Sequence, residues 1–355
     1  MLKVKLKCKL LTPLVMHGAD NKLELRATSI KGLLRFWWRA ENCFRYESIE
    51  KMREAEVEIF GGSYKDEEGN EIHRKSKIKI QIINKNLNKK LASKDSWKEY
   101  QGIQYLLYSF RVYKDTKKYY DIDSEFDVVI STKESISLLQ DVLKSFKNLM
   151  FFGGLGSRSR KGAGNFVVTE FKVINKFIGG KVLEENKLKK IKSLFDGNYS
   201  FENIERTFNS IKGYGSLKEL ISNICSWGEY SSIKQFNIPG EQNEPSPILD
   251  KMGEKYKEFR ASKSKGELVG FGLPIKKLKK NYQNNTNRLA SKIIFKVMEI
   301  NPLDNEQEKE YIGYFVKLGG YCFDTKDKKK RKVSRNAENT LKEFMNSIER
   351  NGENE

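Results

Sequence analysis

The sequence predicts an α+β fold of two tandem units, each an antiparallel sheet with helices on one face, and three observations predict it. Residues 2–10 alternate strictly, Leu2, Val4, Leu6, Cys8 and Leu10 on one face and Lys3, Lys5, Lys7 and Lys9 on the other, which is a strand with one buried side. Two stretches of helical periodicity, one from about 30 into the forties and one from about 133 to 150, are separated by strand candidates and followed by another, giving the order β-α-β-β-α-β. At 355 residues the chain exceeds what one such unit needs and leaves room for a second. The order is that of the ferredoxin-like, RRM-like arrangement.

After the first strand comes a turn with Pro13, His17 and Gly18, and Thr28 or Ser29 can cap the first helix. Phe60-Gly61-Gly62 reads as a stop. Ile78, Ile80 and Ile82 alternate with Lys77, Lys79 and Gln81, and Ile103–Val112 and Phe126–Ile130 are further strand candidates. The second helix carries Ile136, Leu139, Val142, Leu143, Phe146, Leu149 and Met150, and Phe166, Val168, Phe171 and Val173 suggest the last strand. The domains are therefore expected at 1–175 and 176–355. Beyond a lysine-rich connection with a short helix at 184–195, the signal weakens to strands at 289–300 and 311–322 and a terminal helix with Leu341, Phe344, Met345 and Ile348 on one face. Residues 237–287 read as loop because of Pro239, Pro245 and Pro247, and Lys326–Lys332 as a solvated charge run.

The net charge is +20 with 12% aromatic residues, too aromatic for a disordered basic tail, so the charge sits on a folded protein and attracts a polyanion. Nucleic acid is the expected partner; no long apolar stretch or lipidation signal favours a membrane. Cys8, Cys43, Cys225 and Cys322 are scattered singly, which indicates buried thiols rather than a zinc site or a disulfide framework. The alternating lysines at the N-terminus exclude a signal-peptide core, and a cytoplasmic location is expected.

Two segments carry the candidate site. Residues 153–166 hold Gly153, Gly154, Gly156, Gly162 and Gly164 together with Arg158, Arg160 and Lys161. Glycines give the backbone access to positive φ and admit close approach, and the cations supply charge, so the segment reads as a phosphate-binding loop. It runs from helix to strand, opposite to nucleotide-binding loops, and lacks Gly-Lys-Ser/Thr, so no nucleotide cofactor is expected. On the first helix Ile30, Leu33, Leu34, Trp37, Ala40 and Phe44 form the core arc. Lys31, Arg35 and Arg39 fall opposite at i, i+4, i+8, with Trp38 at the stripe's edge where it can stack on a base. Three like charges in that spacing repel, which invites an external anion, and stripe and loop are expected to converge into one cationic cradle.

The run from Arg26 to Ala40, together with the Gly153–Gly164 loop, resembles the RAMP superfamily of CRISPR proteins, and within it the family of first Cmr subunits of type III-B effector complexes. Shorter pieces in the same sense are Phe60-Gly61-Gly62, Tyr105-Leu106-Leu107-Tyr108, Gly270-Phe271-Gly272-Leu273-Pro274, and Arg288 followed by Ala290-Ser291. The resemblance implies two ferredoxin-like domains, no catalytic activity, and a place at the head of a ribonucleoprotein near the 3′ side of the guide RNA, touching guide and target RNA beside other RAMP subunits. It implies RNA contacts at Lys31, Arg35, Arg39, Arg158, Arg160 and Lys161.

Some RAMP proteins cut RNA, so an endoribonuclease using His17 and Asp20 is the alternative. One histidine and one carboxylate form no catalytic constellation, and His73 lies in a polar stretch that reads as an exposed loop. Neither catalytic residues nor metal ligands are expected.

Overall fold

The computed structural model describes residues 1–18, 20, 22–93, 95–111, 118–178, 181–212, 231–238, 243–272, 290–303, 308–319 and 328–349. Strand β1 (Leu2–Leu10) forms at the alternating segment, its apolar face buried and Lys3, Lys5 and Lys7 half-exposed. It is the middle of a five-stranded antiparallel sheet. On one side it pairs with β7 (Glu125–Thr132), Leu6 opposite Val128, and on the other with β8 (Phe166–Ile178), Leu6 opposite Phe171. β4 (Ile78–Asn86) adds beyond β7 and β9 (Lys181–Val182) beyond β8, so the order is β4-β7-β1-β8-β9.

Helices α1 (Ala27–Asn42) and α5 (Ile136–Phe152) pack together, Trp37 against Phe152, with Phe146 edge-on to Phe166 of β8. Ser135 caps α5 by accepting the Leu138 N–H at 3.2 Å. The cap expected at Thr28 or Ser29 is not used; α1 begins at Ala27, with Arg26 in extended backbone at the N-cap position. The stop at Phe60-Gly61 ends a separate helix, α2 (Ile49–Phe60), which Ser48 caps. The β2 (Gly62–Lys65) and β3 (Glu71–Arg74) hairpin follows and carries His73 on a strand rather than in a loop. A small ribbon joins β5 (Lys89–Leu91) to β6 (Lys118–Tyr120).

The strand expected at 103–112 is helical: α3 (Gln101–Leu106) and α4 (Tyr108–Arg111), with Val112 outside the described residues. The reason is in the spacing. Buried Ile103, Leu106, Leu107 and Phe110 recur at helical spacing across the break at Leu107, but each helix is too short for that period to stand out from an apolar run.

β8 runs past the expected boundary at 175, and α6 (Glu185–Lys192) and α7 (Phe201–Lys212) follow. The second sheet has the order β10 (Ser232–Phe236), β12 (Tyr311–Lys317), β11 (Ile293–Glu299), all antiparallel. One face carries α8 (Pro245–Ala261) and α9 (Lys328–Glu349): Tyr256 lies edge-on to Phe295, and Phe315 to Phe344. α8 corrects the loop expected across 237–287, because Pro245 stands in the first helical turn, where a missing N–H costs no hydrogen bond. Likewise residues 328–332 of the lysine run open α9 rather than forming a solvated loop. The terminal face of Leu341, Phe344, Met345 and Ile348 is buried as expected.

The two sheets share one apolar core. Buried Lys296 of β11 donates to the Gly153 carbonyl at 2.5 Å, Tyr314 of β12 donates to the Phe151 carbonyl at 2.6 Å, and Lys9 pairs with Glu299. α3 crosses α8 backbone to backbone at Gly102 and Gly253, where a Cβ on Gly253 would stand 2.5 Å from the Gly102 carbonyl carbon, and Asp250 accepts the Ile103 N–H at 3.0 Å. Cys8 is a buried free thiol, whereas Cys43 is disulfide-bonded, against the expectation that all the cysteines are thiols. Single scattered cysteines show no spacing motif, and the fold alone brings such a pair together.

Candidate nucleic-acid interface

α1 presents the cationic stripe as its spacing requires, yet an internal anion already answers it. Glu56 of α2, only 4% exposed, accepts from the Arg35 Nε and from the Arg39 Nη1 at 2.7 Å, while Arg35 Nη1 donates to the Gly61 carbonyl at 3.0 Å. The repulsion expected to call for an external phosphate is relieved by this carboxylate. Lys31 stays without one among the described residues; burial, and then Arg35, pull its ammonium below the ordinary lysine range. Trp38 is corrected outright. It is 2% exposed, packed against Tyr46 and Phe60 at centroid distances of 6.0 and 6.4 Å, so neither ring face is open to a base.

The glycines of the loop serve the chain's own packing. A Cβ on Gly153 would stand 2.7 Å from the Trp37 indole nitrogen, and one on Gly154 3.0 Å from the Ala163 carbonyl oxygen. Gly156, Gly162 and Gly164 have φ of +71°, +83° and +64°, and a Cβ there would collide with Val15 O, Leu249 Cδ1 and Leu155 O respectively. The loop amides are engaged too: Ser157 N–H donates to Val15 O at 2.8 Å, Gly164 N–H to Pro13 O at 2.9 Å, and Leu155 N–H to Gly164 O at 2.9 Å. Close approach is thus made by protein backbone, not by the ligand backbone expected.

The loop cations turn toward the seam between the sheets. Arg158, itself at φ +60°, lies over the Tyr108 ring at 4.1 Å and donates to Ser109 Oγ at 2.9 Å and Leu106 O at 3.1 Å. Arg160 donates to Ser291 O at 2.6 Å. Lys161 Nζ donates to Ser291 Oγ at 3.0 Å and to the Tyr256 hydroxyl, 4.1 Å from that ring's centroid. Arg260 reaches the same Tyr256 hydroxyl at 3.5 Å. Burial, then Arg260, Arg158 and Arg160, push the Lys161 ammonium well below its usual range, and burial lowers Arg160.

Lys161 and Arg260 therefore meet at one tyrosine, with Arg158 and Arg160 near enough to act on the Lys161 ammonium, and their partners are hydroxyls, carbonyls and ring faces. Among the described residues no carboxylate pairs with any of them. Such a cluster carries positive charge that no described side chain neutralises.

The cradle expected as one is two. Arg35 and Arg39 point at α2, whereas the loop touches α1 through Trp37, about 200° around the helix from Arg35 at 100° per residue. Tyr108, Ser109, Tyr256, Arg260 and Ser291 went unassigned by sequence reasoning. Two short segments singled out there, residues 105–108 and 290–291, are in fact the seats of Arg158 and Lys161. At the alternative site Asp20 is exposed and lies 3.8 Å from Lys22, and no metal-holding group of His, Cys, Asp and Glu occurs among the described residues. No described helix is long and apolar enough to cross a membrane.

The segment that holds the first sheet, the basic first helix and the glycine loop is also the one that matches a family model: residues 7–167 match the RAMP superfamily. The chain is 30% identical over 183 residues to the CRISPR system Cmr subunit Cmr1-2 of Pyrococcus furiosus, covering 44% of this chain and 90% of that protein. It is 26% identical over 296 residues to Cmr1-1 of the same organism, covering 78% of this chain and 77% of that one. The chain belongs to the Cmr1 family of the RAMP superfamily, proteins of type III-B CRISPR systems. Its fold is similar to the crystal structure of apo Cmr1 from Pyrococcus furiosus, with TM-score 0.60 at 20% identity over 91% of this chain and 90% of that one. It is also similar to a chain in the cryo-EM structure of the type III-B Cmr-beta complex bound to cognate target RNA, with TM-score 0.52 at 14% identity over 96% and 99%.

Proposed function

We propose that this chain is a non-catalytic RNA-binding subunit of a type III-B Cmr ribonucleoprotein in antiviral defence, made of two ferredoxin-like domains divided after β8 rather than at 175. It caps the head of the complex near the 3′ side of the guide RNA and contacts guide and target RNA beside other RAMP subunits. The observation that carries this reading is the group of Lys161 and Arg260 at Tyr256, with Arg158 and Arg160 beside Lys161, and no carboxylate among its described partners. Phosphate oxygens are the complement of such a group, and contacts of this kind hold nucleic acid without reading its sequence. Lys31, Arg35 and Arg39 form a second contact zone, in which phosphate competes with Glu56 for the two arginines.

Family membership supports the reading, as does the chain of similar fold in a complex bound to cognate target RNA. The test is RNA binding by Arg158→Glu and Arg35→Glu proteins at low salt. Weaker binding in both is the expected result, and unchanged affinity in both overturns the assignment.

A further inference from the structure

Away from the cation cluster, the β5–β6 ribbon, the turn at 95–100 and the start of α8 line an open surface recess of about 350 Å³. Its walls include the rings of Trp97, Tyr100 and Tyr119 and the charged groups of Lys90 and Lys98 on one hand and Asp95, Glu99 and Asp121 on the other. Trp97 and Tyr119 lie 5.3 Å apart between centroids, and Trp97 is 6.5 Å from Phe110. The turn is held by its own backbone: Lys98 N–H donates to Asp95 O at 3.1 Å and Tyr100 N–H to Trp97 O at 2.9 Å. Trp97 sits at φ +57°, a left-handed conformation that bulky L residues avoid, and the bonded turn holds it there. Asp121, 7% exposed, pairs with Lys90.

We propose that this recess receives one unstacked nucleobase of a single-stranded RNA, its face against Trp97 and its polar edge toward Asp121 and Lys90. Three aromatic rings in one small recess match a planar heterocycle; its lining carboxylates suit the base edge and not a phosphate, so the chain's net charge of +20 must hold the backbone outside it. The Asp121 carboxylate accepts hydrogen bonds, which suits the exocyclic amino group of cytosine or adenine and not uracil. Position agrees with this. Tyr100 precedes α3, and the Leu106 carbonyl and Ser109 hydroxyl that hold Arg158 lie at the end of α3 and in α4, no more than roughly 14 Å along the chain at 1.5 Å per helical residue. A strand with phosphates on Arg158 places a base within reach of the recess.

The inference rests on the RNA-binding reading above, and the experiment separates the two. Binding of oligo(C) and oligo(U) to the full chain is measured for wild type, Trp97→Ala, Trp97→Phe and Arg158→Glu, and ultraviolet crosslinks of the unaltered protein to oligo(C) are mapped by mass spectrometry. Trp97→Ala is expected to weaken oligo(C) binding by roughly 5- to 150-fold, the range found for loss of one stacked base, with Trp97→Phe retaining most of the affinity and crosslinks falling between residues 95 and 121. Arg158→Glu weakening both oligonucleotides, with Trp97→Ala within twofold of wild type or crosslinks elsewhere, overturns the recess and leaves the RNA reading standing. Unchanged binding in both variants overturns both.

Discussion

Replacing Gly164 by alanine is the sharpest probe of why the loop is glycine-rich. At φ +64° an alanine costs ~1–2 kcal/mol in backbone conformation alone. The added Cβ would also collide with the Leu155 carbonyl and stand 3.0 Å from the Leu155 nitrogen. Relief requires pulling the loop away, which breaks Leu155 N–H to Gly164 O and Gly164 N–H to Pro13 O, both 2.9 Å, at about 1 kcal/mol each. The sum is about 3–4 kcal/mol. Two glycines calibrate it. Gly69 has φ +87° but nothing within 4 Å of an added Cβ, so alanine there costs only the backbone part; Gly32, inside α1 and equally open, is expected to gain ~0.5–1 kcal/mol with alanine. Urea and thermal midpoints should therefore rank Gly32→Ala, wild type, Gly69→Ala, Gly164→Ala from most to least stable. A Gly164→Ala midpoint equal to that of Gly69→Ala would refute the claim that the loop is pinned by its own backbone packing.

Glu56→Gln leaves Arg35 and Arg39 without their shared carboxylate. Because both arginines remain about a third exposed, the loss should be about 1–3 kcal/mol rather than the full cost of breaking a buried pair, with tighter binding of short RNA at low salt as the competing anion disappears. Lys296, pushed down to about 7 by burial, binds fewer protons folded than unfolded between that value and the ordinary lysine value of 10.5, so its contribution to stability rises with pH across that window and is at its least favourable below it. Thermal midpoints of Lys296→Met should consequently climb less from pH 7 to 9 than those of wild type, and parallel curves would contradict this. Tyr256→Phe removes the hydroxyl shared by Lys161 and Arg260 while keeping the ring, and should lower both stability and RNA affinity by a modest factor; an affinity equal to wild type would place the cluster's anion away from Tyr256.

The first half of the fold was legible because its sheet leaves one face open. Lys3, Lys5 and Lys7 stay half-exposed across from buried Leu2, Val4 and Leu6, and that contrast is what period-two alternation records. β11 and β12 are buried along their whole length, between α8 and α9 on one side and the end of α5 on the other, so they read as apolar runs, with Lys317 at the end of β12 paired to Glu338 and Lys296 and Glu299 of β11 out of place. Those two charges report long-range partners, the Gly153 carbonyl and Lys9, which no local pattern reveals. α8 was hidden by its prolines and α3 by its length of six residues, too short for periodicity to outweigh an apolar run. At the site, charge and glycine content marked the right segments, but direction did not follow from composition. Glu56, 17 residues beyond Arg39, and Ser291, 130 beyond Lys161, decide where those cations point, and Trp38 is buried by Tyr46 and Phe60 from a separate turn and helix.

Whether the loop cations hold RNA phosphate is read from the salt dependence of single-stranded RNA affinity. For Arg158→Gln against wild type, binding should weaken and the log–log slope flatten by roughly 0.7, the share of one phosphate contact. A variant with wild-type stability, wild-type affinity and an unchanged slope would contradict that contact.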